Sequence, residues 1–105
     1  MRRLGHGQVW WADLGNVRPV VVLTRASLAG RLRRVVVAPV TTTVRGVATE
    51  IEVGQREGLE EDCVINVDNL QLVDTDALVH QAGELDYVRW AEVCTAVGHM
   101  MSCPT

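Results

Sequence analysis

The chain has 105 residues, 48% of them hydrophobic, and ten arginines against thirteen acids give a formal charge of −3. That length holds one modest core, and that apolar content excludes a disordered chain. No apolar stretch reaches the roughly 20 residues of a membrane helix, and Met1-Arg2-Arg3 leads into Gly5 and His6 rather than a signal-peptide core, so a single cytoplasmic domain over residues 1–105 is expected.

Most of the chain reads as short strands. Gln8 to Leu14 is a strand running into the turn residues Gly15-Asn16. Pro19 to Arg25 is the second; proline, with no amide hydrogen for a ladder, suits its first position. Ala26 to Arg31 is a small connection. Arg33 to Val40 is the third strand, with Pro39 weakening its pairing near the end, and its run from Val35 to Val40 is more apolar than one wet face requires. Val44-Arg45-Gly46 turns the chain. Ala48 to Val53 then alternates, setting Thr49, Ile51 and Val53 on the apolar side.

Gly54 to Asp62 is polar and acidic, hence a loop. Cys63 to Asn66 and Asp68 to Val73 read as strands, followed by a turn over Asp74 to Ala77 and a last strand from Leu78 to Gly83. From Asp86 the period changes. Tyr87, Trp90, Ala91, Cys94, Val97 and Met101 recur every three or four residues, predicting a helix with Asp86 as its N-cap and these residues as its buried face. Short strands, close turns and one terminal helix make the fold mainly β, a compact barrel with a C-terminal α-helix.

The charge is unevenly distributed. Residues 1–47 hold eight arginines and one acid, and residues 48–105 hold two arginines and twelve acids. The basic half can supply a phosphate-binding face within an acidic protein. Cys63, Cys94 and Cys103 show no C-x-x-C spacing, and with His6, His80 and His99 they form no metal-ligand pattern. They read as buried small hydrophobes and scattered histidines, and no cofactor is expected.

Polar groups stand at the rims of two apolar strands. Arg18-Pro19 precedes Val20 to Leu23, and Thr41-Thr42-Thr43 follows Val35 to Val40. A guanidinium matches two phosphate oxygens bidentately, and a threonine hydroxyl can donate to a third. Alternation places Thr41 and Thr43 on one face and Thr42 on the other. Arg45 follows as a phosphate contact. Asp68, Asn69 and Gln71 are a polar set whose amides can read exposed base edges, although Asp-Asn is equally a turn pair. Trp10 and Trp11 must face opposite sides of their strand. No histidine falls in a catalytic constellation, the Glu60-Glu61-Asp62 run reads as a solvated loop, and the general base is left unassigned.

Taken in order, Gly7-Gln8-Val9-Trp10-Trp11-Ala12-Asp13, Arg18-Pro19-Val20-Val21-Val22-Leu23, Pro39-Val40-Thr41-Thr42, Asn66-Val67-Asp68-Asn69-Leu70-Gln71 and Gly83-Glu84-Leu85 resemble the MazF/PemK family of toxin ribonucleases. The resemblance implies an SH3-like barrel of the MazF/PemK/CcdB type. It also implies a metal-independent endoribonuclease that cuts single-stranded RNA to a 2′,3′-cyclic phosphate and a 5′-hydroxyl. Such a toxin acts as a homodimer and is restrained by a cognate antitoxin, MazE-like, with an acidic C-terminal tail. Family correspondence selects Arg18 and Thr41 as catalytic, with Thr42, Thr43, Arg45, Asp68, Asn69 and Gln71 against the RNA. The connection Gly15-Asn16-Val17 is shorter than in many relatives, which bears on the recognition sequence rather than on the reaction. The alternatives are a CcdB-like toxin that binds DNA gyrase through its helix and cuts nothing, and an inactive homologue that keeps antitoxin binding.

Overall fold

The computed structural model describes residues 4–102; Arg2, Arg3 and Cys103 lie outside them. Strands β1 (Gln8–Asp13) and β2 (Val17–Val22) form a hairpin in which Asp13 faces Val17. The connection is Leu14 to Asn16, short as expected but displaced by one residue. Gly15 takes the left-handed φ of +98° that the turn requires, and Leu14 N donates to Asn16 O at 3.1 Å. Arg18 consequently lies within β2, opposite Ala12, rather than ahead of the strand.

A single helical turn, α1 (Ala26–Ala29), occupies the expected connection and leads to β3 (Arg34–Thr41), one residue later than predicted at each end. β4 (Glu50–Val53), β5 (Cys63–Asn66), β6 (Gln71–Asp74) and β7 (Leu78–Glu84) follow, then α2 (Tyr87–Met101). β4 buries Ile51 and Val53 and exposes Glu52, as the alternation predicts. The sheet runs β4-β5-β3-β2-β1-β7, with β6 also against β3, and it curls into the mainly β, barrel-like form the pattern predicted.

β3 organises that sheet. One edge pairs with β2, while the other takes β6 along Arg34 to Val37 and then β5 along Val40 and Thr41. Between Val37↔Gln71 and Val40↔Ile65 the partner path carries extra residues, which leave the ladder as a 3₁₀ turn over Val67–Asn69. Pro39 stands opposite this interruption and has no amide hydrogen to offer it. The predicted strand over Asp68 to Val73 is therefore corrected: Asp68 and Asn69 belong to the turn, and pairing resumes only at Gln71. The Asn66 side chain caps the turn by accepting from Asp68 N at 3.0 Å.

The apolar run of β3 is covered on both faces by this chain alone. Val35 and Val37 pack with Ala12, Val20, Val22, Val73 and Ala29 of α1, while Ala38 and Val40 pack with Val9, Val21, Ile65 and Val93 of α2. Trp10 and Trp11 divide between the two clusters, as alternation requires.

Asp86 caps α2, its Oδ1 accepting from Arg89 N at 2.8 Å, and Ser102 ends the helix in the left-handed region. The buried face is rotated from the predicted one. Val93 and Ala96 are buried, with Trp90, Val97 and Met100 beside them, whereas Tyr87, Ala91, Cys94 and Met101 are exposed. Two apolar stripes run along this helix, and periodicity has no means of choosing between them.

The segment read as loop between β4 and β5 closes the fold. After a 3₁₀ turn over Gln55–Glu57, the chain crosses β7 so closely that a Cβ on Gly83 would stand 2.4 Å from Glu57 O, and one on Gly58 2.1 Å from Ala82 O. Inside the turn, the buried Glu57 carboxylate accepts from Gly54 N at 2.7 Å. Gly83→Ala should destabilise the protein by about 1–3 kcal/mol, the usual cost of forcing extra volume into a packed site. The check is the urea midpoint; an unchanged midpoint would show that this crossing is loose.

Candidate nucleic-acid cleft

The interruption of the β3 edge opens an elongated cleft of about 1160 Å³. Arg18, Thr41, Thr42, Thr43, Arg45, Asp68, Asn69 and Gln71, every residue singled out from the sequence, line it. Strand register explains why the first two meet. Ala12↔Arg18, Val20↔Pro39 and the alternation along β3 put Arg18, Val20, Pro39 and Thr41 on one face of adjacent strands. The Arg18 guanidinium is exposed and makes no ion pair or hydrogen bond with any described residue. It is a free cation held over a partly apolar rim formed by Trp11, Pro19 and Pro39.

The threonine reading is corrected in one respect. β3 ends at Thr41, so alternation stops there and all three threonines reach the cleft. The Thr41 hydroxyl oxygen accepts from Thr43 N at 3.1 Å and bends the chain. That bond uses a lone pair and leaves the hydroxyl proton free to be donated to a ligand.

Thr49 and Glu50 brace two segments of the cleft lining. The Glu50 carboxylate collects three backbone amides: Arg45 N at 3.1 Å, Gly46 N at 2.8 Å and Val47 N at 3.4 Å. The Thr49 hydroxyl donates to Asp68 Oδ2 at 2.5 Å, and Val67 N donates to Thr49 O at 3.1 Å. Desolvation works to raise the Glu50 pKa, but the amides and the Arg45 charge outweigh it and hold the carboxyl below its ordinary 4.5.

Part of the lining was not found from sequence: Gly58, Leu59, Glu60, Glu61 and Cys63 also border the cleft. The acidic run did read as a solvated loop, and Glu60 and Glu61 are indeed exposed; their place in the cleft depends on the three-dimensional crossing of this segment over β7. Burial, and then the charges of Glu61 and Asp62, push the Cys63 thiol up. It therefore stays a neutral thiol, donating to Glu61 O at 3.3 Å. Among the described residues, no three His, Cys, Asp or Glu side chains gather as metal ligands would. The cleft thus combines guanidinium and hydroxyl donors with carboxylates and amides, a mixture suited to a phosphodiester strand and its base edges.

Glu50→Gln should remove much of the brace without touching the core. The amides of Arg45, Gly46 and Val47 should exchange about tenfold faster or more in hydrogen-exchange measurements. In the parent protein the depressed pKa means the brace is complete above pH 4.5 and is lost as pH falls through the lower folded value. Protection of these amides should decline in that acid window only; a decline near neutrality would mean another group holds the loop.

Comparison with known proteins agrees with this construction. Residues 6–101 match the family model described as PemK-like, MazF-like toxin of type II toxin-antitoxin system. The chain is 39% identical over 102 residues to a probable endoribonuclease MazF5 of Mycobacterium tuberculosis, covering 93% of each. It is 40% identical over 88 residues to an endoribonuclease MazF3 of the same organism, covering 84% of this chain and 85% of the relative. The fold superposes on M. tuberculosis toxin MazF-mt6 with a TM-score of 0.89 at 36% identity, over 93% of this chain and 99% of the other. It superposes on a mycobacterial endoribonuclease in complex with its cognate antitoxin with a TM-score of 0.87 at 25% identity, over 97% and 98% of the two chains. Match, fold and cleft together identify the chain as a member of the PemK-like, MazF-like toxin family.

Proposed function

We propose that this chain is the toxin of a type II toxin–antitoxin pair and a metal-independent endoribonuclease that cuts single-stranded RNA at specific sequences. The observation that carries the reading is the unpartnered Arg18 guanidinium beside the Thr41 hydroxyl, on one face of adjacent strands in one cleft. The family membership and the endoribonucleases among its relatives support it.

The RNA supplies its own nucleophile. The 2′-oxygen attacks phosphorus, the bond from phosphorus to the 5′-oxygen breaks, and the products are a 2′,3′-cyclic phosphate and a 5′-hydroxyl. One proton leaves the 2′-hydroxyl and one is delivered to the departing oxygen. Charge grows on the phosphoryl oxygens during this exchange, where Arg18 and the Thr41 proton are preorganised donors. A guanidinium offers hydrogen-bond donors and no acceptor, so Arg18 stabilises charge and is not the base. Asp68, Glu60 and Glu61 are the carboxylates within the cleft that can take the 2′-hydroxyl proton.

The charges of the lining orient the strand. Carboxylates repel phosphate, so the backbone lies against Arg18, Thr41, Thr42, Thr43 and Arg45. The bases then point toward Glu60, Glu61, Asn69 and Gln71, whose acceptors and amides meet Watson–Crick edges. An acidic antitoxin tail would occupy the same basic wall. A homodimer in the cytoplasm completes the reading, and the exposed Tyr87, Val88 and Met101 of α2 offer apolar surface to a second copy.

Purified protein incubated with a long single-stranded RNA in excess chelator should give discrete cuts bearing 5′-hydroxyls. Arg18→Ala and Thr41→Val should each lower kcat/KM by about 10²–10³, the scale of losing a transition-state donor, with an unchanged melting temperature. Full activity in either folded variant sinks the assignment of that residue. Intact RNA from the folded parent would sink the nuclease reading itself.

A further inference from the structure

Half of the arginines among the described residues lie away from the cleft, at the other end of β3. Arg25 precedes α1, Arg31 follows it, and Arg33 and Arg34 open the strand; all four are exposed. Local hydrogen bonds fix this cluster. Ala29 N donates to Arg25 O at 3.0 Å, Arg31 N to Leu28 O at 2.8 Å, and Thr75 N to Arg33 O at 2.8 Å. Arg34 pairs with Asp74 at 3.2 Å, both side chains 65% exposed, a pair that water screens heavily. Arg25, Arg31 and Arg33 form no ion pair or side-chain hydrogen bond with a described residue. Asp74 and Asp76 are the acids adjacent in the chain fold, so the cluster keeps a positive excess within an acidic protein.

The cluster and the Arg18–Thr41 pair share one face of the sheet. α1 packs Ala29 onto Val20, Val22, Val35 and Val37, and the same alternation carries Arg18 and Thr41 past the end of that packed zone. Gln71, paired with Val37 midway along β3, already lines the cleft, which therefore extends toward α1. Seven residue steps of strand separate Arg34 from Thr41, roughly 23 Å at about 3.3 Å per residue. At about 3.4 Å per stacked nucleotide, that is the reach of roughly seven nucleotides, and of fewer in an extended strand.

We propose that Arg25, Arg31 and Arg33 form a second phosphate-binding surface, an extension of the cleft that holds the single-stranded flank of the RNA outside the cut site. The inference rests on the nuclease reading of the cleft and goes beyond it. Contacts to phosphate carry no sequence information, so the surface raises affinity for long RNA and leaves the recognised motif unchanged.

The test compares two RNAs carrying the same mapped cut site: a minimal oligonucleotide that fills only the cleft, and a long single strand with unstructured flanks. The full chain is used with Arg25, Arg31 and Arg33 replaced together by glutamine, and separately with Arg31→Gln and Arg33→Gln only. Melting curves establish that each variant is folded. The triple variant should fall about tenfold or more in kcat/KM on the long RNA and be unchanged on the short one. Its salt dependence of binding should flatten by roughly 0.7 for each phosphate no longer neutralised, about two for three arginines. The double variant should fall between. Equal losses on both substrates, or none on either, overturn the proposal. So does an unaltered RNA response accompanied by weakened affinity for polyglutamate, which would assign the cluster to an acidic polypeptide. A parent protein that cuts neither RNA fails the nuclease reading instead; anisotropy with uncut long RNA still decides the surface, because equal binding by parent and triple variant removes it.

Discussion

The interruption in the ladder along β3 is the constraint on which the rest depends. β5 and β6 follow one edge of the same strand, yet the residues between them leave the sheet opposite Pro39. An uninterrupted pairing would have closed this edge and buried Asp68 and Asn69 in a flat ladder. The excursion does two things at once. It lets the sheet turn sharply, so that β4 and β5 curl toward α2, and it displays polar side chains beside Thr41 at the end of β3. Fold closure and cleft formation are the same local event, and the Asn66 cap makes it specific.

The cleft is also more rigid than a gap between loops would be. Thr49 and Glu50 are consecutive, at the start of β4, and they hold different segments of the cleft lining. Glu50 gathers the amides of the loop that carries Arg45, while Thr49 holds Asp68. Rotation of β4 would disturb both, so the curvature of the sheet and the spacing of the donors are coupled. Preorganisation of this kind is what electrostatic stabilisation of a transition state requires, since donors already in place cost no rearrangement as charge develops.

Much of the fold and most of the site were legible in the sequence, for identifiable reasons. Strand positions followed from alternation and from Gly and Pro punctuation, and the bounds of β5 match the expected ones to the residue. The candidate residues stand out because they border apolar runs: Arg18 ahead of Val20 to Leu23, the threonines and Arg45 after Val35 to Val40, and Gln71 at the start of β6. What escaped depended on partners that no local pattern encodes. Burial on α2 is decided by β4 and the Val67–Asn69 turn, which select the stripe of Val93 and Ala96 over that of Tyr87 and Met101. Glu60 and Glu61 are, locally, a solvated acidic run. Their place in the cleft lining depends on the backbone crossing of Gly58 and Gly83, residues distant in sequence. The excursion at Asp68 was half visible: Asp-Asn is turn chemistry, yet flanking apolar residues favoured a continuous strand.

The short connection between β1 and β2 now acquires a structural meaning. With only Leu14 to Asn16 between the strands, the hairpin turns one residue beyond the Ala12–Arg18 pair, at Asp13 and Val17, and sends no long loop across the cleft. The exposed Leu14 and Val17 mark its tip as surface rather than cover. In the proposed nuclease, discrimination between bases falls to groups already in the cleft lining, the amides of Asn69 and Gln71 and the carboxylates of Glu60 and Glu61. Contacts beyond the recognised bases cannot come from this hairpin either. On the proposed reading, the exposed arginines flanking α1 are where the rest of a long strand would be held.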